Sequence, residues 1–329
     1  EAGRQKEAVA AYERALELEP NNDIARTGYR WTLAAPGSAV HADLAPAHVT
    51  ADRAAAIAER PPRPHVQLDT QAAFMVLVPY LILLAIAELA VTFVNPVLVF
   101  PLHGGMITLA AIHVAFLERN AGTDPKARYL AALLLTLMLS PLIRIISLTL
   151  PLSQIDAPYR FLFAGIPMVI GAVMVARYVG FRPRWIGLVW RDGGWQVVAI
   201  EASIFLGFIE YAILRPEPLA GLPWTAAGWL PALAVSITTG FPEELIFRGM
   251  MQTASRPLIG SRWSVIYVSL VFAVLHIGYK SVIDLVFVLA VGLLYGWLFE
   301  RSRSIIGLSI GHGVANVVLF FVAPNLLGH

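Results

Sequence analysis

The sequence contains no cysteine, which excludes disulfide bonds, thiolate metal ligands and a cysteine nucleophile together. Charged residues are scarce as well: they make up 14% of the 329 residues, whereas hydrophobic residues make up 57%. This balance and a mean hydropathy of +0.68 exclude an ordinary soluble globular protein and predict a polytopic membrane protein. The formal net charge of +2 is nearly neutral, so nothing indicates a nucleic-acid partner.

Apolar runs of membrane length follow one another from about residue 71 onward. We place them at residues 71–94, 97–117, 129–150, 160–179, 195–214, 225–252, 263–280, 282–299 and 304–323. The runs predict an all-α polytopic transmembrane helical bundle in contact with the lipid bilayer. Nine spans are expected, with eight spans and one re-entrant segment as the alternative, because the last runs are closely spaced.

Positive charge alternates from one predicted loop to the next. Lysine and arginine concentrate in every second loop, at Arg119, Lys126 and Arg128, at Arg177, Arg182, Arg184 and Arg191, at Arg256 and Arg262, and at Arg301 and Arg303. The positive-inside rule therefore predicts a cytoplasmic amino terminus and a carboxyl terminus on the opposite side.

The first 70 residues differ in character from the rest. Residues 1–35 resemble the latter part of a tetratricopeptide repeat, in the spacing of Gly3, Tyr12, Ala15 and Pro20. One partial repeat cannot bury its own apolar face, so either preceding repeats are missing or the segment is a single amphipathic helix. Residues 36–70, rich in Ala, Pro and His, have the composition of a linker.

Three polar clusters near the carboxyl end lie inside apolar runs. They are Glu243 and Glu244 with Arg248, His276 with Phe272 one turn before it, and His312 with Asn316. An ionisable side chain at membrane depth costs about 2.5–3.5 kcal/mol even on lenient insertion scales. Such residues therefore predict a functional site buried in the membrane.

Glu243 and Glu244 cannot do the same job, because adjacent residues on a helix point about 100° apart. Glu244 and Arg248 are four residues apart and predict a buried ion pair, which leaves Glu243 free to act as a general base. The alternative is that all three residues form one structural charge cluster. Counted from the helix ends, Glu243, His276, His312 and Asn316 lie about 12–18 Å deep, so one cavity could hold all four.

Two chemistries suit these residue types. A carboxylate and an imidazole can hold and deprotonate a water, while a second imidazole and an amide can donate hydrogen bonds to an oxyanion. That set would hydrolyse a peptide bond without a covalent intermediate. Alternatively, Glu243, His276 and His312 could hold Zn²⁺ with a water in the fourth position. The sequence has no HExxH pair and leaves the two chemistries open.

The three clusters also resemble the motifs of a known family. "EELIFR" (243–248), "FAVLH" (272–276) and "HGVAN" (312–316) are similar, in order and spacing, to the EExxxR, FxxxH and HxxxN motifs of the CAAX protease and bacteriocin-processing (CPBP, or Abi) family. These intramembrane proteases are related to the type II CAAX prenyl endopeptidase. The resemblance covers about residues 195–325, which we take as a protease core, and leaves residues 71–194 as amino-terminal transmembrane helices outside it.

The resemblance implies a role for each motif residue. Glu243 and His276 would activate the water and His312 and Asn316 would stabilise the oxyanion, supported by three further residues, Glu244, Arg248 and Phe272. A glutamate-type site without a cofactor is favoured over a zinc site, because an amide is a poor zinc ligand. The implied substrate is a membrane-anchored or hydrophobic peptide, and the implied location is a prokaryotic inner membrane.

Two other functions fit the composition less well. A transporter could use the buried charges as a relay, although the two halves show no internal symmetry. A catalytically silent scaffold or immunity protein could bind a protein partner through its amino-terminal repeat. Other polar residues in the spans are expected to have structural roles, some by pairing with one another or lining the cavity: Glu88, His103, His113, Arg144, Glu201 and Glu210.

Overall fold

The computed structural model describes residues 10–12, 14, 69–120, 124–150 and 154–328. The chain divides into two compact units, Glu1–Pro62 and Arg63–His329. In the first unit the few described residues are helical, but the tetratricopeptide-like segment and the linker otherwise lie outside the described residues, so both stay predictions. Within the described part of the second unit every regular element is helical, and the predicted all-α polytopic bundle is confirmed.

The amino-terminal half of the second unit provides five membrane-length stretches of helix. They are α1 (Thr70–Phe93), α2 (Val99–Asn120, after a 3-10 turn at Pro96–Leu98), α3 (Pro125–Leu137) with α4 (Leu139–Thr149), α5 (Ala157–Val179) and α6 (Gly193–Leu214). α3 and α4 form one stretch, interrupted only at Met138. Many large apolar side chains on these helices face outward, as a lipid environment requires.

The carboxyl-terminal half contains the motifs. Its first stretch runs through α7 (Trp229–Val235), a π-helix (Ser236–Gly240), α8 (Phe241–Glu244), a second π-helix (Leu245–Gln252), α9 (Thr253–Val274) and a 3-10 turn (Ile277–Tyr279). The last two stretches are α10 (Val282–Ser302) and α11 (Ile306–Val317), which continues through a π-helix (Val318–Val322) into α12 (Ala323–Leu327).

The stretch Trp229–Tyr279 is a pair of antiparallel helices rather than one helix. Its 51 residues would extend about 77 Å if straight, more than twice the thickness of a bilayer core. Gly260 breaks it with a φ of 78° and a ψ of 163°. The Ser264 hydroxyl donates to the Gln252 carbonyl at 3.0 Å, although residues twelve apart in a continuous helix are about 18 Å apart. One of the eight apolar stretches in the described chain therefore folds back on itself, and the expected count of nine crossings stays a prediction.

α11 packs closely against three neighbours in the middle of this half: α6, the Ser236–Gly240 π-helix and α8. Glycine makes the approach feasible, because a Cβ on Gly311 would lie 2.6 Å from the Ser203 hydroxyl and one on Gly240 would lie 2.7 Å from the Gly313 nitrogen. His312 lies between Gly311 and Gly313. This packing therefore brings His312 beside the glutamates of α8.

Candidate active site

A cavity of about 80 Å³ inside the bundle is lined by all four side chains predicted to be catalytic: Glu243, His276, His312 and Asn316. Aromatic and apolar side chains form most of the remaining wall. A second cavity of about 400 Å³ also reaches Glu243 and His276 and is more open. The structure thus brings together residues from three separate motifs at one place in the membrane-spanning region.

The two adjacent glutamates occupy different environments. Both lie on the short α8, between the two π-helices, and π-helical turns inserted in α-helices occur frequently at functional sites. The Glu243 side chain is 30% exposed and lines both cavities, whereas the Glu244 side chain is 0% exposed. The predicted division, with Glu243 available and Glu244 enclosed, matches this placement.

Glu244 is the centre of a buried charge cluster. Its Oε1 accepts hydrogen bonds from Arg248 Nη1 at 2.8 Å and from His312 Nδ1 at 2.8 Å. The Arg248 guanidinium is buried, and its Cζ lies 4.5 Å from the centre of the Phe272 ring. The expected Glu244–Arg248 ion pair is present. The contact between Glu244 and His312 was not predicted, since sequence spacing paired His312 with Asn316.

His312 therefore links the two glutamates. Because a carboxylate only accepts, Nδ1 of His312 carries the proton in its bond to Glu244. Its Nε2 lies 3.7 Å from Glu243 Oε2, which is too long for a direct hydrogen bond. Nε2 is a donor toward the cavity only when the ring is protonated at both nitrogens.

His276 lies where α9 ends, with φ −92° and ψ 0°, a region in which many active-site residues are found. Its Nδ1 donates to the carbonyl of Phe272 at 2.9 Å, because a carbonyl oxygen can only accept. The neutral ring consequently keeps a lone pair on Nε2. The ring also packs beside Phe272 and stacks on Tyr279, with centroids 4.8 and 5.9 Å away. The FxxxH spacing thus sets the tautomer of the histidine.

Asn316 is held by a residue that sequence reasoning missed. Its Nδ2 donates to the Thr239 hydroxyl at 2.7 Å, and that hydroxyl donates to the Val235 carbonyl at 2.7 Å. One amide hydrogen of Asn316 is thereby used for orientation, and the other is left for a ligand in the cavity. Thr239 precedes Glu243 by four residues, a spacing that could have drawn attention to it.

Residues 224–318 match the family model described as type II CAAX prenyl endopeptidase Rce1-like. The matched range contains all three motifs and begins after α6, so it is shorter than the predicted core of residues 195–325. The match supports the resemblance to CAAX proteases and a protease activity, but it does not extend to the tetratricopeptide-like segment. Comparisons with curated proteins and with solved structures found no match.

A second charge cluster comes from helices outside the matched range. Glu88 on α1 and His103 on α2 are fully buried and 3.1 Å apart, and Arg144 on α4 forms an ion pair with Glu88 at 2.6 Å. Arg144 also lines the larger cavity and donates through Nη2 to the Leu275 carbonyl at 2.7 Å. These residues are among those expected to be structural, some by pairing with one another or by lining the cavity. Their contact with the residue before His276 was not expected.

The other polar residues of the spans have different surroundings. Glu210 and Tyr279 line the smaller cavity, and Tyr279 carries no motif signal in the sequence. His113 stacks on Tyr80 with ring centroids 6.2 Å apart, and Glu201 is exposed on α6. Of the residues expected to be structural, Glu210 is thus the one that reaches the smaller cavity.

The zinc alternative would require Glu243, His276 and His312 to converge on one point. Among the described residues no three His, Asp or Glu side chains converge as metal ligands. Glu243 and His312 approach to 3.7 Å, but no His276 nitrogen lies within 4.0 Å of any described carboxylate oxygen. The three residues, as they are placed, do not form the ligand set that zinc requires.

Proposed function

We propose that the chain is an intramembrane endopeptidase that hydrolyses a peptide bond in a membrane-associated or hydrophobic substrate. The observation that carries this proposal is the single cavity lined by Glu243, His276, His312 and Asn316. The match of residues 224–318 to a CAAX endopeptidase model supports the same reaction class. We assign the site to the glutamate type, in which a water attacks directly.

Glu243 and His276 are suited to activating that water. The Glu243 carboxylate faces the cavity without a hydrogen bond to any described residue, and His276 offers the lone pair of Nε2. Their separation of more than 4.0 Å leaves room for a water between them, and a cavity of about 80 Å³ can contain several. Glu243 takes a proton as the water oxygen bonds to the carbonyl carbon. It returns the proton to the amine nitrogen as the C–N bond breaks.

His312 and Asn316 are suited to stabilising the oxyanion formed in that step. His312 is anchored through Nδ1 on Glu244, and when its ring is protonated at both nitrogens Nε2 donates into the cavity. Asn316 is anchored on Thr239 and offers its second amide hydrogen. Two donors that are already oriented need not reorganise as negative charge develops on the carbonyl oxygen. Such preorganisation is usually the largest contribution to stabilising the transition state.

The larger cavity supports a hydrophobic substrate. Ile143, Met168 and Phe247 are among the apolar side chains that line it, and it shares Glu243 and His276 with the smaller cavity. An extended apolar segment of a membrane-anchored peptide would bury its side chains there while its peptide bond reaches the site. Nothing in this wall selects a prenylated substrate in particular.

The bilayer location follows from the eight apolar stretches, and we propose a prokaryotic inner membrane with a cytoplasmic amino terminus.

Cleavage of a library of membrane-anchored reporter peptides by the full chain in proteoliposomes tests this function. Glu243→Gln and His276→Ala are each expected to reduce cleavage at least 100-fold, because each removes a group that acts on the water. Glu201→Gln and His113→Ala are the matched controls, since they change the same residue types outside the cavity. Both controls should cleave at the wild-type rate.

A chelator added to each reaction separates the two chemistries. Unchanged cleavage supports the glutamate mechanism, whereas loss that added Zn²⁺ restores would establish a metalloprotease. Absence of cleavage by the folded wild-type protein across the whole library would contradict the proposal. That result would favour the silent scaffold, whose partner would bind the amino-terminal repeat, or the transporter.

A further inference from the structure

A pocket of about 440 Å³ at one end of the bundle is lined by five arginines: Arg128, Arg184, Arg191, Arg256 and Arg303. They come from five places in the chain: the first turn of α3, two points in the α5–α6 connection, the start of α9 and the residue after α10. We name this feature the arginine pocket. No acidic side chain is among the described residues that line it.

The positive charge of the arginine pocket is only partly neutralised. Glu300 accepts from Arg303 at 2.6 Å and lies 3.3 Å from Arg256, so one carboxylate serves both. Burial lowers the pKa of Arg303, Glu300 opposes that shift and the guanidinium of Arg256 adds to it. Arg128, Arg184 and Arg191 form no ion pair with any described residue. These three exposed arginines therefore add positive charge to a lining that contains no carboxylate.

Guanidinium groups converging on a pocket favour a phosphate in particular. Each presents several N–H donors in a planar fork that matches phosphate oxygens, and several forks can share one dianion or monoanion. The rim adds a second feature, since Tyr129, Phe181 and Trp185 also line the pocket. Amphipathic aromatic rings are typical of the membrane–water interface, where phospholipid headgroups lie.

We propose that the arginine pocket binds the phosphate group of an anionic ligand, supplied by a phospholipid headgroup or by a soluble phosphate ester. The site is separate from the candidate active site, since the two share no lining residue. The proposal therefore does not depend on proteolysis. In the lipid case the headgroup would contact the arginines while its acyl chains follow the apolar helix surface.

Binding is tested on the purified full chain by native mass spectrometry with phosphatidylglycerol and with phosphatidylcholine. Phosphatidylglycerol should be retained at about one molecule per chain and phosphatidylcholine should not. Arg184→Gln and Arg191→Gln leave the Glu300 pairs intact, and each should weaken phosphatidylglycerol binding roughly fivefold. Size-exclusion profiles establish that the variants remain folded.

Arg262→Gln and Arg301→Gln are the matched controls. Each arginine lies within six residues of a pocket arginine in the chain but is not among the residues that line the pocket, and Arg301 lies over the Trp297 ring at 5.3 Å. Unchanged phosphatidylglycerol binding in these two variants supports binding at the pocket. If they weaken binding as much as the pocket variants do, the effect is one of general surface charge and the proposal is overturned. Competition by sn-glycerol 3-phosphate would assign the site to a soluble ester, and no competition would assign it to lipid. Absence of binding by both ligands would also overturn it.

Discussion

The buried ion pair between Glu244 and Arg248 gives a prediction whose size follows from the structure. The Arg248 side chain is 1% exposed and the Glu244 side chain is 0% exposed, so neither charge is solvated. Removing one partner from such a pair costs about 3–5 kcal/mol, because the other charge stays buried without compensation. We expect Glu244→Gln to lower the free energy of unfolding by about that amount and Arg248→Met by somewhat less, because His312 still donates to Glu244 in the second variant.

The double variant separates coupling from simple damage. Glu244→Gln with Arg248→Met removes both charges, and a glutamine and a methionine fill a similar volume. If the two charges stabilise each other, the double variant should lose less unfolding free energy than the two single variants lose together. The difference should be about 3 kcal/mol or more. His312 reduces the difference somewhat, because its Nδ1 also donates to Glu244.

Unfolding in mixed detergent micelles, with increasing SDS and tryptophan fluorescence as the signal, measures these free energies. Losses below about 1 kcal/mol in both single variants would refute the burial argument, since exposed ion pairs contribute that little. Strict additivity in the double variant would refute the coupling. Cleavage assays on the same samples are expected to show that the double variant, although folded, is impaired, because His312 has lost its charged anchor.

Three further outcomes are expected. Asn316→Ala should lower kcat about 100- to 1,000-fold with little change in KM, and Thr239→Val about 10-fold, both measured with a reporter peptide over concentrations below and above KM. Arg144→Ala should lower both cleavage and the unfolding free energy, because the buried Glu88 carboxylate loses its arginine and keeps only His103, and wild-type values in both assays would contradict this. The absence of native cysteine allows single-cysteine labelling in intact cells: Pro183→Cys should be protected from an impermeant maleimide and Pro218→Cys should react, and the reverse pattern would invert the predicted topology.

The features that could be predicted from the sequence are those that depend on local spacing. Hydropathy locates the spans, and a separation of four residues places Glu244 beside Arg248 and His276 beside the Phe272 carbonyl. Gly260, at which one long apolar stretch folds back on itself, is visible only as an isolated glycine. The π-helices on either side of α8 have no periodic signal at all, since they shift the register without changing composition.

The contacts that could not be predicted join residues far apart in the chain. His312 bonds to Glu244 across 68 positions, and Asn316 bonds to Thr239 across 77. Both hydrogen bonds require a close approach between α11 and the Ser236–Gly240 π-helix. That approach is possible because Gly240 and Gly313 have no side chains. A motif therefore identifies the residue types of a site, while helix packing decides which of them bond to each other.

The amino-terminal spans belong to the proposed site rather than serving as a separate anchor. Arg144 holds the Leu275 carbonyl at the point where α9 ends, and His276 leaves helical conformation at the next residue. Arg144 is itself fixed by Glu88, which also contacts His103, so one charge cluster connects three spans outside the matched range to this carbonyl. An arginine that anchors the helix end limits the movement of the His276 ring, and general-base geometry tolerates little displacement. The matched range on its own would lack that restraint and one wall of the larger cavity. We therefore expect proteolysis to require the amino-terminal helices together with the three motifs.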